Sequence, residues 1–172
     1  MPKLLKVLIS HVEIDKAVER LASEITRDYR RKNPLLIGIL KGSFVFMADL
    51  VRRLDMPLEV DFIRLSSYGS GTESCGKIRI SGKLNSQVEG RHVIVVEDII
   101  DTGLTTSYYL RYIRGRKPAS VALCALADKP SRRKTHIKID YRGFKVPDKF
   151  IVGYGIDFNE RYRNLPDICY IE

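Results

Sequence analysis

Apolar residues recur at three- and four-residue steps from Ile14 through Ala17, Val18, Leu21, Ala22 and Ile25 to Tyr29, which predicts an amphipathic helix. Ser10 and Glu13 stand at capping-box spacing in front of it, and Asn33-Pro34 ends it. The period then changes. Residues 35–40 are apolar without a break, as in a short strand buried on both faces of a parallel sheet, and Lys41-Gly42-Ser43 leads into a second helix over 44–54. A third strand is expected over 58–65. Beyond it the apolar signal disappears, because 66–76 holds three Gly, four Ser and one Thr and can hardly pack. Lys77 to Ser81, with the region around Leu84, suggests a strand returning from that loop.

The second half opens with the β-branched run Val93-Ile94-Val95-Val96, a further buried strand that is expected to end in two acids, Glu97 and Asp98. A third acid opens Asp101-Thr102-Gly103, and Leu104, Thr105, Thr106 and Ser107 lead into a helical stretch over 108–114, closed by Gly115. Residues 119–127 predict another buried strand, ending in Asp128-Lys129-Pro130; 132–141 is basic and weakly patterned. Residues 150–160 begin as a strand and run into Arg161-Tyr162-Arg163. The Gly153-Tyr154-Gly155 within them is no dinucleotide fingerprint, since no third Gly and no Gly-rich helix start follow. There is no internal repeat or low-complexity tract.

Strands alternating with helices predict an α/β fold, a mostly parallel twisted sheet flanked by helices. At 172 residues and 44% hydrophobic content, the chain is long enough for one core and short for two, so one domain over 1–172 with a small appended lobe is expected. Cys75, Cys124 and Cys169 lie far apart in odd number, against a disulfide framework or a zinc site and in favour of a reducing cytoplasm. No apolar run approaches the ~18 residues of a membrane span, and the first ten residues lack the features of a signal peptide. The net charge of +9 implies attraction to anions but does not choose between a polyphosphorylated small molecule and nucleic acid. The basic clusters at 27–32 and 129–138 read as solvated faces, and His11, with no His or Cys at ligand spacing, as a surface residue.

Ligands of open α/β sheets bind at the carboxyl ends of the strands, where the acidic turn 97–101 must lie. The Gly- and hydroxyl-bearing helix start behind it offers N–H donors to a phosphate. Carboxylates would repel a bare phosphate. A sugar diol or hydrated Mg²⁺ satisfies them, so the ligand is expected to be both sugar and phosphate.

The stretch Val96-Glu97-Asp98-Ile99-Ile100-Asp101-Thr102-Gly103 resembles the phosphoribosyl pyrophosphate signature of the type I phosphoribosyltransferases, in the wording of their hypoxanthine-guanine branch. Four further motifs are similar and in the same order: Lys41-Gly42, Ser67-Tyr68, Lys129, and residues 150–163. The resemblance implies the fold of that family, with a mobile lid over about 66–82 and a hood built from the N-terminal residues and about 130–172. It also implies transfer of phosphoribosyl to N9 of a 6-oxopurine, hypoxanthine or guanine, with release of pyrophosphate, in a homodimer or homotetramer needing neither membrane nor nucleic acid.

Residue by residue, the resemblance implies that Glu97 and Asp98 hold the ribose hydroxyls and a Mg²⁺, that Asp157 serves a second Mg²⁺, and that Asp101 accepts a proton near purine N7. Thr102, Gly103, Leu104, Thr105 and Thr106 would hold the 5′-phosphate, mainly through backbone groups, although Leu104 stands where some relatives have lysine. Lys41, Gly42, Ser67, Tyr68 and Arg163 would bind pyrophosphate, where Ser43 replaces a second Gly of many relatives. Phe150 would stack on the purine and Lys129 donate to its six-position oxygen, while the carbonyls of Ile151 and Asp157 could accept from a two-amino group. Two alternatives remain: a regulator of the same fold that binds RNA or DNA, motivated by the charge, and a Mg²⁺-dependent receiver-type domain, which explains neither the hydroxyl-rich turn nor residues 150–163.

Overall fold

The structure, a computed structural model, describes residues 5–68 and 77–172. The capping box forms as the sequence requires. Glu13 N–H donates to Ser10 Oγ at 3.3 Å, and Ser10 N–H donates to Glu13 Oε2 at 2.8 Å. Helix α1 (His11–Tyr29) buries the seven residues of the predicted stripe. His11 is exposed, yet its N–H donates to Asp167 Oδ1 at 2.6 Å and its ring Nδ1 lies 2.9 Å from the same oxygen, so it ties the helix start to the C-terminal region.

Strand β1 (Leu5–Ile9) precedes α1, followed by β2 (Leu35–Leu40), α2 (Phe44–Val51), β3 (Glu59–Tyr68) and β4 (Lys77–Ser81). Then come β5 (His92–Ile100), α3 (Leu104–Arg114), β6 (Ser120–Asp128), β7 (Tyr141–Lys145), β8 (Ile151–Val152) and β9 (Ile168–Ile171). Six strands form the main sheet in the order β4-β3-β2-β5-β6-β7, with every pairing parallel except β3 with β4. The expected α/β architecture, a mostly parallel sheet flanked by helices, therefore stands.

Alternate residues of β5 divide the core. Val93 and Val95 pack on the α3 side with Tyr109 and Ile113, and Ile94 and Val96 on the opposite side with Leu21, Phe46 and Leu50 of α1 and α2. The same alternation sends Glu97 towards α3 and Asp98 towards the β2 turn.

Several boundaries differ from the pattern. Strand β5 does not end at the acids but runs through them to Ile100, because its pairing with β6 continues (Glu97 to Ala125, Ile99 to Ala127). Strand β3 extends past 65 because β4 pairs with Ser66, Ser67 and Tyr68, giving these polar residues backbone partners that an apolar period does not register. Helix α2 stops at Val51, and α3 begins at Leu104, three residues after Asp101. Strands β1, β7 and β9 were not expected. β7 has one buried residue, Tyr141, and β1 pairs with β9 across a register shift between Val7 and Ile9; neither keeps a clean alternation. The two chain ends thus meet in a second, antiparallel sheet in the order β1-β9-β8. Among the described residues, no helix is long and apolar enough to cross a membrane.

Candidate active site

The parallel strands β2, β5 and β6 end on one edge and present Lys41-Gly42, the turn 97–103 and Lys129 together. Gly103, at φ 80°, caps α3 in the left-handed region. A Cβ there would also come within 2.7 Å of Ile137 Cδ1 and 2.9 Å of Arg133 Cδ, so those side chains would have to shift for any other residue. No acid occupies the first turn of α3, which leaves its positive end free to receive an anion. Thr102 Oγ1 accepts from Leu104 N–H at 3.4 Å. Thr105 and Leu104 are exposed, whereas Thr106 is buried and its hydroxyl donates to Glu97 Oε1 at 3.1 Å, which leaves its backbone as the group free for a phosphate.

Burial raises the Glu97 carboxyl well above the ordinary carboxylate range, and its neighbour Asp98 adds to the effect against the opposing Thr106 hydrogen bond. Asp98 is pushed up to about 6, chiefly by burial and in smaller part by Asp157, against backbone N–H donors and Arg163. Its carboxylate lies against the β2 turn: a Cβ on Gly42 would fall 1.8 Å from Asp98 Oδ2. The Leu40–Lys41 peptide is cis. From the C-terminal loop, Arg163 Nη1 donates to the carbonyl of Gly155 at 2.7 Å, and Nη2 lies 3.0 Å from Asp157 Oδ1. The other oxygen of Asp157 accepts the N–H of Glu160 at 2.8 Å. Lys41 Nζ pairs with Glu160 Oε2 at 2.8 Å. Three remote segments therefore meet at Asp98.

Next to Asp98 opens a cleft of about 580 Å³, lined by Asp101, Lys129, Phe150, Ile151 and Asp157 among others. Phe150 is 52% exposed, unusual for a large apolar ring, and is held edge-on by Phe158 at 5.3 Å. Lys129 is buried, with Nζ donating to the carbonyl of Lys149 at 2.8 Å and two N–H groups to spare. Asp101 Oδ1 is buried without a hydrogen bond; Arg132 Nε stands 3.5 Å away as an ion-pair partner only. An unsatisfied carboxylate oxygen facing a cleft is poised to accept a proton or an N–H.

Of the expected site residues, Lys41, Gly42, Glu97, Asp98, Asp101, Lys129, Phe150, Ile151, Asp157 and Arg163 come together on this edge. Ser67 and Tyr68 end β3, paired with Ile78 and Lys77. The rest of the lid expectation, 69–76, lies outside the described residues.

The run 129–138 is not simply a solvated face. Arg133 is largely buried, pairs with the buried Asp128, and donates to the carbonyls of Asp101 at 3.1 Å and Ile100 at 3.5 Å. Lys134 N–H donates to the Thr102 carbonyl at 2.9 Å. This segment braces the turn from behind. The available signal was Asp128 itself, an acid closing a buried strand, which needs a cation.

Among the described residues, no three His, Cys, Asp or Glu side chains converge as a ready-made metal cage. The donors present are carboxylate oxygens, Asp98 with Asp157 close enough to raise its pKa. This suits Mg²⁺, which keeps several waters and takes one or two carboxylates plus substrate oxygens.

A strand, an acidic turn and a helix start open to an anion, all facing a cleft, fit a transferase of sugar phosphates, and residues 8–159 match the phosphoribosyl transferase domain family, to which this chain belongs. The chain is 53% identical over 163 residues to the hypoxanthine-guanine phosphoribosyltransferase of Bacillus subtilis (strain 168), covering 95% of this chain and 91% of that protein. It is 48% identical over 169 residues to the hypoxanthine-guanine-xanthine phosphoribosyltransferase of Tritrichomonas foetus, covering 98% and 92%. Among solved structures, the hypoxanthine phosphoribosyltransferase of Staphylococcus aureus superposes with a TM-score of 0.93 at 42% identity, covering 97% of this chain and 91% of that one. A hypoxanthine-guanine phosphoribosyltransferase of Bacillus anthracis gives 0.92 at 45%, covering 97% and 98%.

Proposed function

We propose that this chain is a purine-salvage enzyme that transfers phosphoribosyl from phosphoribosyl pyrophosphate to N9 of hypoxanthine or guanine. The carrying observation is that the acidic turn with its helix start and the Lys129–Phe150 cleft open onto one another across Asp98 and Asp101. In the reaction the bond from the anomeric carbon to pyrophosphate breaks as N9 bonds to that carbon, and the base loses a proton.

Each group has a physical part. The backbone of 102–106 and the α3 N-terminus hold the 5′-phosphate. Glu97 and Asp98 bind the ribose hydroxyls, and Asp101, whose Oδ1 makes no hydrogen bond, takes the proton as the base is bonded. Lys41, Gly42, Ser67, Tyr68 and Arg163 receive pyrophosphate, Arg163 through a planar fork suited to its oxygens. Phe150 offers a face for the purine, Lys129 donates to its six-position oxygen, and the carbonyls of Ile151 and Asp157 read the two position. Glu97, Asp98 and Asp157 would hold Mg²⁺, which would supply positive charge against the departing pyrophosphate.

The same reading carries a single 1–172 unit with a hood from both chain ends, a cytoplasmic setting, and a homodimer or homotetramer, for which exposed Phe44, Val60 and Phe62 supply apolar surface. The nucleic-acid-binding alternative gains no support from the relatives quoted, which are named for the transferase.

The test is a spectrophotometric assay with phosphoribosyl pyrophosphate, Mg²⁺ and each of hypoxanthine, guanine and adenine, on wild type and Lys129→Ala. An ammonium only donates, so it opposes the six-amino group of adenine. Lys129→Ala should lower kcat/KM for the two oxopurines by roughly 10- to 100-fold and change adenine much less. An unchanged ratio removes Lys129 as the reader, and no activity with any base removes the assignment.

A further inference from the structure

Lys41 and Arg163, the two cations assigned to pyrophosphate, are bridged by a carboxylate of the chain itself. Glu160 Oε2 lies 2.8 Å from Lys41 Nζ and 3.5 Å from Arg163 Nη2. Lys41 and Glu160 come from distant parts of the chain, 119 residues apart, and no other anion is shared by Lys41 and Arg163 among the described residues. Arg163 is fixed by the Gly155 carbonyl and Asp157, with its Nε buried and lacking a hydrogen bond. Glu160 itself contributes nothing to a core. Its side chain is 64% exposed, and its backbone is at φ 64°, a left-handed conformation that costs a non-glycine residue about 1 kcal/mol or more.

We infer that Glu160 is an internal stand-in for pyrophosphate: it pairs with both Lys41 and Arg163, withdraws when the pyrophosphate end of the substrate arrives, and returns as product leaves. The inference rests on the assignment of Lys41 and Arg163 given above. Its physical basis is competition. Two cations brought together without an anion repel each other, so a carboxylate keeps them converged, but a ligand then binds only the fraction of molecules in which that carboxylate has left. The pair is exposed, so it is weak, and the expected reduction of affinity is a few-fold rather than orders of magnitude. A strongly held stand-in would block the site; a weak one is displaced by the several oxygens of a polyphosphate and can hasten its departure.

The experiment is calorimetric titration of the full chain with inorganic pyrophosphate at fixed Mg²⁺. Wild type is compared with Glu160→Gln, which keeps the shape and loses the charge, and Glu160→Asp, which keeps the charge and loses one methylene of reach. Both variants should bind pyrophosphate roughly three- to fivefold more tightly. Tighter binding in Glu160→Gln with Glu160→Asp at the wild-type value would mean that Glu160 acts only through its charge, and overturns the inference. Equal or weaker binding in both overturns it as well, because Glu160 then merely orders the cations. Lys41→Ala separates the two levels. If it leaves pyrophosphate binding unchanged, the underlying assignment fails; if it weakens binding while the Glu160 variants do not tighten it, only the stand-in fails. Should either variant melt early, Glu160→Gly removes the carboxylate at a backbone angle that glycine adopts freely, and the same expectation applies.

Discussion

On one side of the cleft, Glu97, Asp98 and the turn to Thr106 continue directly from a core strand and feed a three-turn helix, so their positions follow from the main sheet. On the other side, Lys41, Lys129, Phe150 and residues 155–163 arrive from separate segments, and the last of these is held in a tight path. Gly153, Tyr154, Gly155, Asn159, Glu160 and Tyr162 all have positive φ, four of them with side chains that make this conformation costly. Backbone bonds from Tyr154 N to the Leu165 carbonyl (2.8 Å) and from Gly155 N to the Arg163 carbonyl (2.9 Å) offset it. Sugar and phosphate are thus addressed by a rigid, contiguous element. Purine and pyrophosphate are addressed by a loop assembly whose polar groups are partly satisfied by one another: Lys129 by Lys149, Lys41 by Glu160. The difference teaches where selectivity and release can be tuned without disturbing the core.

The largest expected effect lies where the two sides meet. Asp101→Asn removes the proton acceptor while keeping shape, and kcat should fall by roughly 10²- to 10⁴-fold with little change in phosphoribosyl pyrophosphate affinity. Steady-state kinetics decide it, and near-wild-type turnover would sink the role.

Arg133→Leu tests whether the division is as clean as it looks, since this residue comes from the purine side of the chain and braces the sugar-phosphate turn. It leaves the buried Asp128 with Arg142 as its remaining cation, 3.2 Å away. A loss of about 3 kcal/mol in unfolding free energy is expected, together with a raised KM for phosphoribosyl pyrophosphate and little change in that for the purine. If denaturant melts and both KM values match wild type, the brace has no role.

The smallest expected effect separates stability from function at Asp98. Its folded-state pKa is raised from 3.8 to about 6, so folding favours the protonated form. The contribution to stability is therefore fully present below pH 3.8 and is lost as pH rises to about 6, beyond which it stays lost. With Mg²⁺ chelated and no substrate, Asp98→Asn should be more stable than wild type above pH 6 by up to about 3 kcal/mol, and the gap should close towards pH 4. Such a variant should still be a poor enzyme. A gap that is independent of pH would mean that something other than the charge is responsible.

How much of this was legible beforehand varies with the kind of signal. The capping box, the buried stripe of α1 and the strands at 35–40 and 119–127 follow from periods of 3.6 and of unbroken apolarity, because burial on a known face leaves a local trace. The turn 97–106 was readable for the same reason, being contiguous. Strands β7 and β9 were not, since their pairing depends on remote partners, and the continuation of β5 through Glu97 was hidden because two acids look like a strand end.

By itself the sequence determined the alternation of helices and strands, the residues that form the acidic turn, and, through ordered motifs, the family. Tertiary structure alone decided that Asp98 sits against Gly42, that Arg133 reaches behind the turn to Asp128, that Asp101 keeps a buried oxygen without a hydrogen bond, and that Glu160 lies between Lys41 and Arg163. The reason is physical. Local propensity and burial periodicity act over a few residues and are written along the chain, whereas a charged group's partner is whichever opposite charge the finished fold brings within a few ångströms.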